Sequence, residues 1–369
     1  MPVSCAMIAA AVERLAPLAM AESWDNVGLL IGRADQMIER ALLTVDVTMP
    51  VIEEAIETQA SLLITHHPFP FQALKRLQTD TVAGAMLAKL IKHDIAVYAA
   101  HTNLDMADGG VNTALAKVLR LTDLQPIRTN YEPLVKIVVY VPAGQEESVR
   151  SAMCDAGAGH IGNYRDCSFR TSGLGTFMPL SGSRPFVGEL ARLSTVEEVR
   201  LETVAPESLL SQVVQAMRKV HPYEEVAYDV LPLRNAHANG GLGRVGLLKE
   251  ELSLTDFAAL VKQALGLTTV RVYGSGGTRL KRVAVCGGSG MECASAAASA
   301  GAEVLVTGDI RYHDAQAAMS RGLCLIDAGH FATEYPAMLE LSSYLSRCAD
   351  SADWQSEFLV ARRQESIFW

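Results

Sequence analysis

Short apolar runs alternate with stretches of helical period over most of this chain, and that alternation limits its fold more than any other feature. Between residue 27 and about 120 the runs "VGLLIG", "ALLTVDV", "SLLITHH" and "IAVYAAH" are separated by helical patterns such as "DTVAGAMLAKLIKHD" and "GGVNTALAKVLR". Strands alternating with helices of about ten to fifteen residues predict parallel βαβ construction. The pattern returns from about residue 244, with "RVGLLKE", "KRVAVCGG", "AEVLVTGD" and "GLCLIDAGH". In the middle the texture changes. "VKIVVYVP", "FVGELARL" and "VRLETVAP" read as strands, "GQEESVRSAMCDAG" and "ESLLSQVVQAMRKV" as helices, and "LRNAHANGG" as a linker. An order of strand, helix, strand, strand, helix, strand suits a ferredoxin-like α+β unit. The expectation is an α/β protein with two similar halves, residues 1–126 and 236–369, and an inserted α+β domain over 127–235.

The 369 residues suffice for two or three domains, and 49% apolar content supplies their cores. A net charge of −9 without any Lys/Arg block argues against a nucleic-acid partner. The seven cysteines are scattered and never form C-x-x-C, which reads as reduced thiols rather than a disulfide frame or a thiolate zinc site. The N-terminus lacks the basic start of a signal peptide and reads as a short amphipathic helix ending near Pro17. No apolar run approaches a bilayer span. A cytoplasmic protein without a membrane partner is expected.

Open α/β sheets place their sites at the carboxyl ends of strands. Three such ends here carry imidazole: His66–His67 before Pro68, His101 followed by Asp105, and His330 followed by Glu334. The last two share the spacing His-x-x-x-acid in corresponding places of the two halves, which suggests a site on a pseudo-twofold axis. A lone histidine at a strand end is more often a satisfied hydrogen bonder than a ligand, but the joint pattern favours metal ligation. Successive strand side chains face opposite ways, so adjacent histidines cannot chelate one ion from a regular strand. Pro68 ends regular structure soon after them, and each imidazole can then serve one of two ions. Asp105 and Glu334 can bridge or cap these ions, and His330 completes the second. Imidazole and carboxylate without thiolate suit zinc, iron or manganese. Two dications against two carboxylates leave an excess of about two positive charges, suited to an anionic substrate and to hydrolysis by activated water.

Other motifs carry weaker signals. "GGLGRVG" matches a dinucleotide-binding glycine pattern but lacks the strand before it and the helix after it. "VCGGSGME" sits between strand and helix and could cradle a phosphate, although a tight turn serves equally well. "HPYEEVAYDV" groups His221, Glu224 and Glu225, for which structural or interface use outweighs a second metal site.

Taken together, "SWDNVGLLIG", "THHP", "HTNLD", "GHIGNY", "HPYEE", "VTGD-x-x-YH" and "DAGH-x-x-TE" resemble the NGG-interacting factor 3-like family, many of whose members are labelled GTP cyclohydrolase I type 2 homologues. The likeness covers nearly the whole chain and matches the longer bacterial form, with an inserted PII/CutA-like domain. It implies a dinuclear divalent-metal centre and a hexameric ring. Motif by motif it places the ligands on His66, His67, Asp105, His330 and Glu334, with His101 close to the metals as an outer partner or occasional ligand. Trp24, Asp25 and Asn26, with Tyr312 and His313, resemble pocket residues; the plainer reading puts Trp24 in the core and Asp25–Asn26 in a turn. Two functions follow as expectations: a metal-dependent hydrolase of a small anionic or nucleotide-like substrate, or a non-enzymatic ring that binds metal or senses a metabolite.

Overall fold

The computed structural model describes residues 2–72 and 74–364, so residues 365–369 of the expected C-terminal half lie outside it. Two compact units emerge, one combining the chain up to Asn130 with the chain from Asn239 onward, the other running Tyr131–Ala238.

The first unit opens with the helix Cys5–Leu15, whose N-cap Ser4 hydroxyl accepts from the Met7 amide. Then come β1 (Gly28–Ile31), β2 (Arg40–Thr44), β3 (Leu62–Thr65) and β4 (Ala96–Ala99). β2, β3 and β4 are parallel neighbours linked by the helices Met49–Glu57 and Val82–Lys92. Thr48 and Thr81 cap those helices with their hydroxyls. β3 and β4 are buried at every position, as strands covered on both faces must be, which is why they read as unbroken apolar runs. β1 closes the edge, antiparallel to β4.

The second unit contains most of β5 (Thr122–Pro142), then β6 (Ser168–Phe177), β7 (Ser194–Pro206) and the start of β8 (Tyr228–Ser253). With the helices Glu146–Asp155 and Leu210–Val220 its order is strand, helix, strand, strand, helix, strand. β7 pairs antiparallel with β5 and β6, and the sheet order β6-β7-β5-β8 is a ferredoxin-like arrangement. Its core gathers Ile137, Val139 and Val141 from β5, Met153 and Met217 from the helices and Leu201 from β7.

Two local expectations are corrected here. "FVGELARL" is not a strand: it lies in turns and bends, with Gly188 at φ 99° and Ala191 at φ 60°. The second strand is "SFRTSGLGTF", which the sequence hid because an exposed edge strand needs no apolar alternation. "LRNAHANGG" does lead from the second unit back to the first, but as the interior of β8 rather than as an irregular linker. Its glycines answer both to crowding and to backbone conformation: a Cβ on Gly241 would fall 2.2 Å from the Arg128 carbonyl oxygen, and Gly240 sits at φ 66°.

The first unit, resumed within β8, continues through the helix Leu254–Ala264 to β9 (Arg271–Tyr273), β10 (Arg279–Val285), β11 (Val304–Thr307) and β12 (Cys324–Asp327). β10, β11 and β12 are parallel neighbours, with β9 antiparallel against β12. This repeats the N-terminal scheme, in which β1 lies antiparallel against the third of three parallel strands. The two halves differ at their outer edge: β8 joins β10 antiparallel, whereas the last strand, β13 (Glu357–Val360), returns after the helix His330–Ala352 to join β2 in parallel. Among the described residues no helix is long and apolar enough to cross a membrane.

Candidate metal centre

The site grows from the carboxyl ends of β2, β3, β4, β11 and β12. Beyond β3 the ladder to β2 continues for two more residues, since the His66 amide donates to the Thr44 carbonyl (3.0 Å) and the His67 amide to Val45 (2.9 Å). The Thr65 hydroxyl bonds to the carbonyls of Val45 (3.0 Å) and His67 (2.9 Å), which pins the turn into Pro68. On this frame the His66 and His67 rings lie 5.0 Å apart, centroid to centroid. His101 follows β4 and stands 5.1 Å from His66 and 5.4 Å from His67. His330, after β12, stands 5.1 Å from His67.

The outer nitrogen of each ring decides what the inner one can do. Nδ1 of His66 lies 2.9 Å from the Ala100 carbonyl oxygen, and Nδ1 of His101 lies 2.9 Å from Asp25 Oδ1. Nδ1 of His67 lies 2.7 Å from Asp46 Oδ1, and Nδ1 of His330 lies 2.6 Å from Asp309 Oδ2. Carbonyl and carboxylate oxygens only accept, so each Nδ1 carries the proton and each Nε2 is left as a lone pair. The Nε2 atoms of His67 and His330 then face each other at 3.2 Å with no hydrogen between them. Such a pair requires a cation, either a proton or a metal. Histidines whose far nitrogen is held by an oxygen acceptor are the usual form of metal-ligating imidazole.

Two acids complete the cluster. Glu334, 3% exposed, brings Oε1 to 3.0 Å from His330 Nε2 and 3.5 Å from His66 Nε2, and Oε2 to 3.3 Å from His67 Nε2. Asp105 Oδ1 lies 3.7 Å from His66 Nε2. His66 Nε2 and Glu334 Oε2 are buried with no hydrogen-bond partner, a costly state unless something else satisfies them. Space for the cluster comes from Gly288, where a Cβ would fall 2.3 Å from Glu334 Oε1 and 3.1 Å from His330 Nε2. Orphaned donors, inward lone pairs and an imidazole–carboxylate set together fit a divalent cation. His66, His67 and His101 form one group able to hold a metal ion, and His67, His330 and Glu334 another.

The electrostatics agree. Burial lowers the affinity of His67 for a proton, but its bond to Asp46 and the nearby Glu334 carboxylate outweigh that and push its pKa up to about 10. His330 rises to about 9, chiefly through Glu334. Burial raises Glu334, yet the charge of His66 and the close approach of the His330, His66 and His67 imidazoles hold it well below the usual carboxylate range. Asp105 is raised, first by burial and then by Glu334. Without metal the cluster therefore draws in protons, which a bound metal would displace.

Asp25 is not a mere turn residue. Its carboxylate accepts from His101 Nδ1, from the Thr102 amide (3.0 Å) and from the Thr102 hydroxyl (2.5 Å). These bonds hold it far below its normal pKa against the opposing effect of burial. Asn26 donates to the Pro70 carbonyl (3.1 Å), and Trp24 is 62% exposed rather than core. Tyr312 and His313 stand exposed at the start of the helix Tyr312–Met319 and pack against each other, 5.3 Å between centroids. His313 belongs to neither donor group.

Sequence reasoning missed Asp46 and Asp309, which orient His67 and His330. Both follow apolar strands at the sheet edge that carries the histidines, the signal that had singled out the histidines themselves. The phosphate-cradle reading of "VCGGSGME" is resolved as a turn, because its amides are already taken. Gly287 donates to Asn112 Oδ1, Gly288 to the Thr333 hydroxyl and Gly290 to the Thr307 hydroxyl. His221 is likewise a structural residue, bonded to the Tyr140 carbonyl (3.1 Å) and accepting from the Tyr223 amide (3.1 Å).

The fold and site thus define an α/β protein with paired halves and a histidine–carboxylate cluster at the strand ends. Residues 3–366 match the Duf34/NIF3 (NGG1p interacting factor 3) family model, and the chain belongs to that family. It is 49% identical over 321 residues to the GTP cyclohydrolase 1 type 2 homolog of Bacillus subtilis (strain 168), covering 87% of this chain and 86% of the relative. The corresponding homolog of Listeria innocua is 40% identical over 354 residues, 95% of each chain. Among solved structures, a Bacillus cereus protein related to NIF3 superposes with a TM-score of 0.90 at 41% identity, covering 100% of this chain and 99% of that one.

Proposed function

We propose that the protein is a dinuclear divalent-metal hydrolase of a small anionic or nucleotide-like substrate, with zinc, iron or manganese held by His66, His67, Asp105, His330 and Glu334 and flanked by His101. The observation that carries this reading is a pair of adjoining donor groups that share His67, one with His66 and His101 and the other with His330 and Glu334, each imidazole locked from behind by an oxygen acceptor. Bound divalent ions supply Lewis-acid polarisation of the substrate and acidify water. The chain does the rest. Asp46, Asp309, Asp25 and the Ala100 carbonyl fix the tautomers, and Glu334 and Asp105 supply two negative charges. Against two dications these leave an excess of about two positive charges for an anionic group. The names carried by the B. subtilis and Listeria relatives support a nucleotide-like substrate. Metal-replete protein assayed on nucleotide, phosphoester and cyclic-amide panels is expected to turn over at least one member. A complete lack of turnover with metal present would contradict the hydrolase.

Family resemblance supports a homohexameric ring and a PII/CutA-like character for the insert over 127–235, set between core halves 1–126 and 236–369. Sedimentation equilibrium giving a monomer would remove the ring. A cytoplasmic setting is supported by seven free cysteines.

A further inference from the structure

We propose that Trp24 and Phe71 form a stacking shelf for the flat aromatic ring of a small molecule whose donor atoms reach the histidine–carboxylate cluster; this rests on the metal-centre reading above and gives its substrate a chemical class. Trp24 is 62% exposed and Phe71 52% exposed. Their ring centroids lie 6.3 Å apart with planes 38° from parallel. Both stand nearly perpendicular to the His101 imidazole, Trp24 at 6.0 Å and 77°, Phe71 at 6.1 Å and 71°. His101 in turn belongs to a donor group with His66 and His67. The two rings thus border the cluster directly.

Their positions are set by the same bonds that set the site. Asp25, next to Trp24, is fixed by His101 and Thr102. Asn26, one residue further, donates to Pro70 and so ties the Trp24 segment to the Phe71 segment. An indole and a phenyl held in place and left half wet offer π faces rather than a closed apolar pocket, which suits ring stacking. A flat ring laid on this surface lies beside the imidazoles and can turn a substituent on its rim toward them. The two shelf side chains are uncharged, so the anionic portion of the ligand belongs at the cluster and the neutral ring belongs on the shelf.

Hydroxamates test this without knowledge of the substrate, because the metal-binding head can be kept while the ring is changed. Full-length protein carrying its metal is titrated calorimetrically with benzohydroxamate and with cyclohexanecarbohydroxamate. The saturated ring is at least as apolar, so a preference for the aromatic one reports stacking rather than burial. The expected preference is about fivefold or more, lost in Trp24→Ala and kept in Trp24→Phe. Equal affinities for the two probes, or a preference unchanged in both Trp24→Ala and Phe71→Ala, would overturn the shelf while leaving the metal centre standing. Binding of neither probe by metal-containing protein would overturn the shelf together with the open centre on which it rests. Metal content of each variant, measured alongside, separates a lost shelf from a lost metal.

Discussion

Two buried histidines in this molecule show opposite chemistry. His221, in the inserted unit, has both ring nitrogens occupied by backbone groups, and burial lowers its pKa. His66, in the paired α/β unit, is fully buried with Nδ1 on a carbonyl and Nε2 partnerless among acids. Burial opposes its protonation too, but Glu334 and Asp105 raise its pKa. Burial alone does not distinguish a structural histidine from a ligand. The distinction lies in the second nitrogen: satisfied, it marks packing; orphaned beside carboxylates, it marks a cation site.

The sharpest way to break this contrast is to remove the metal. Chelation is expected to lower the thermal midpoint by several degrees, because a ligand bound only to the native state at 1,000 times its Kd contributes about 4 kcal/mol. The shift should vanish in Glu334→Gln and persist in His221→Gln. A chelator shift of equal size in Glu334→Gln would place the metal elsewhere.

Next in size are the residues behind the rings. Asp46→Asn and Asp309→Asn should each weaken metal affinity about 10- to 100-fold by competition with a chromophoric chelator, with urea midpoints of the metal-free proteins little changed. Unchanged affinity would mean that the tautomer-locking bonds are incidental.

The C-terminal segment sharpens the comparison from the packing side. The Gln364 side-chain oxygen accepts from the Val45 amide (2.9 Å) and the Thr44 hydroxyl (3.3 Å), directly beneath the strand end that carries Asp46. Gln364→Leu leaves a buried amide unpaired and is expected to cost about 1–3 kcal/mol in urea unfolding. A neutral result would show that this strand end needs no such support.

The smallest effect belongs to His221. Its folded pKa lies below the unfolded value of about 6.5, so the unfolded state binds the proton more readily. Its contribution is therefore present above that value and is lost as pH falls toward the folded pKa. Urea midpoints at pH 8 and pH 5.5 should show a smaller acid loss in His221→Gln than in the wild type, and equal losses would sink this assignment.

How much of this was legible in the sequence follows from what each element must bury. Strands such as "SLLIT" and "VLVT" are covered on both faces and announce themselves as apolar runs. β6 is exposed along its length and does not. The histidines of the cluster were legible because imidazole at a strand end is costly without a purpose. Asp46 and Asp309 were not, because an acid after a strand is also an ordinary turn residue until its partner across the fold is known. Asp309 does carry a backbone mark, φ 55°, but only the fold reveals it. Trp24 could be read either as a pocket residue or as core, and its 62% exposure removes the core reading.

Metal content per chain tests the central claim most directly, on untagged protein purified without chelators, beside the double variant His66→Gln/Glu334→Gln. About two divalent ions per wild-type chain are expected, and their loss in a variant that remains folded. A folded wild type that carries no metal and resists loading would contradict it, and would return His66 and His67 to the company of His221.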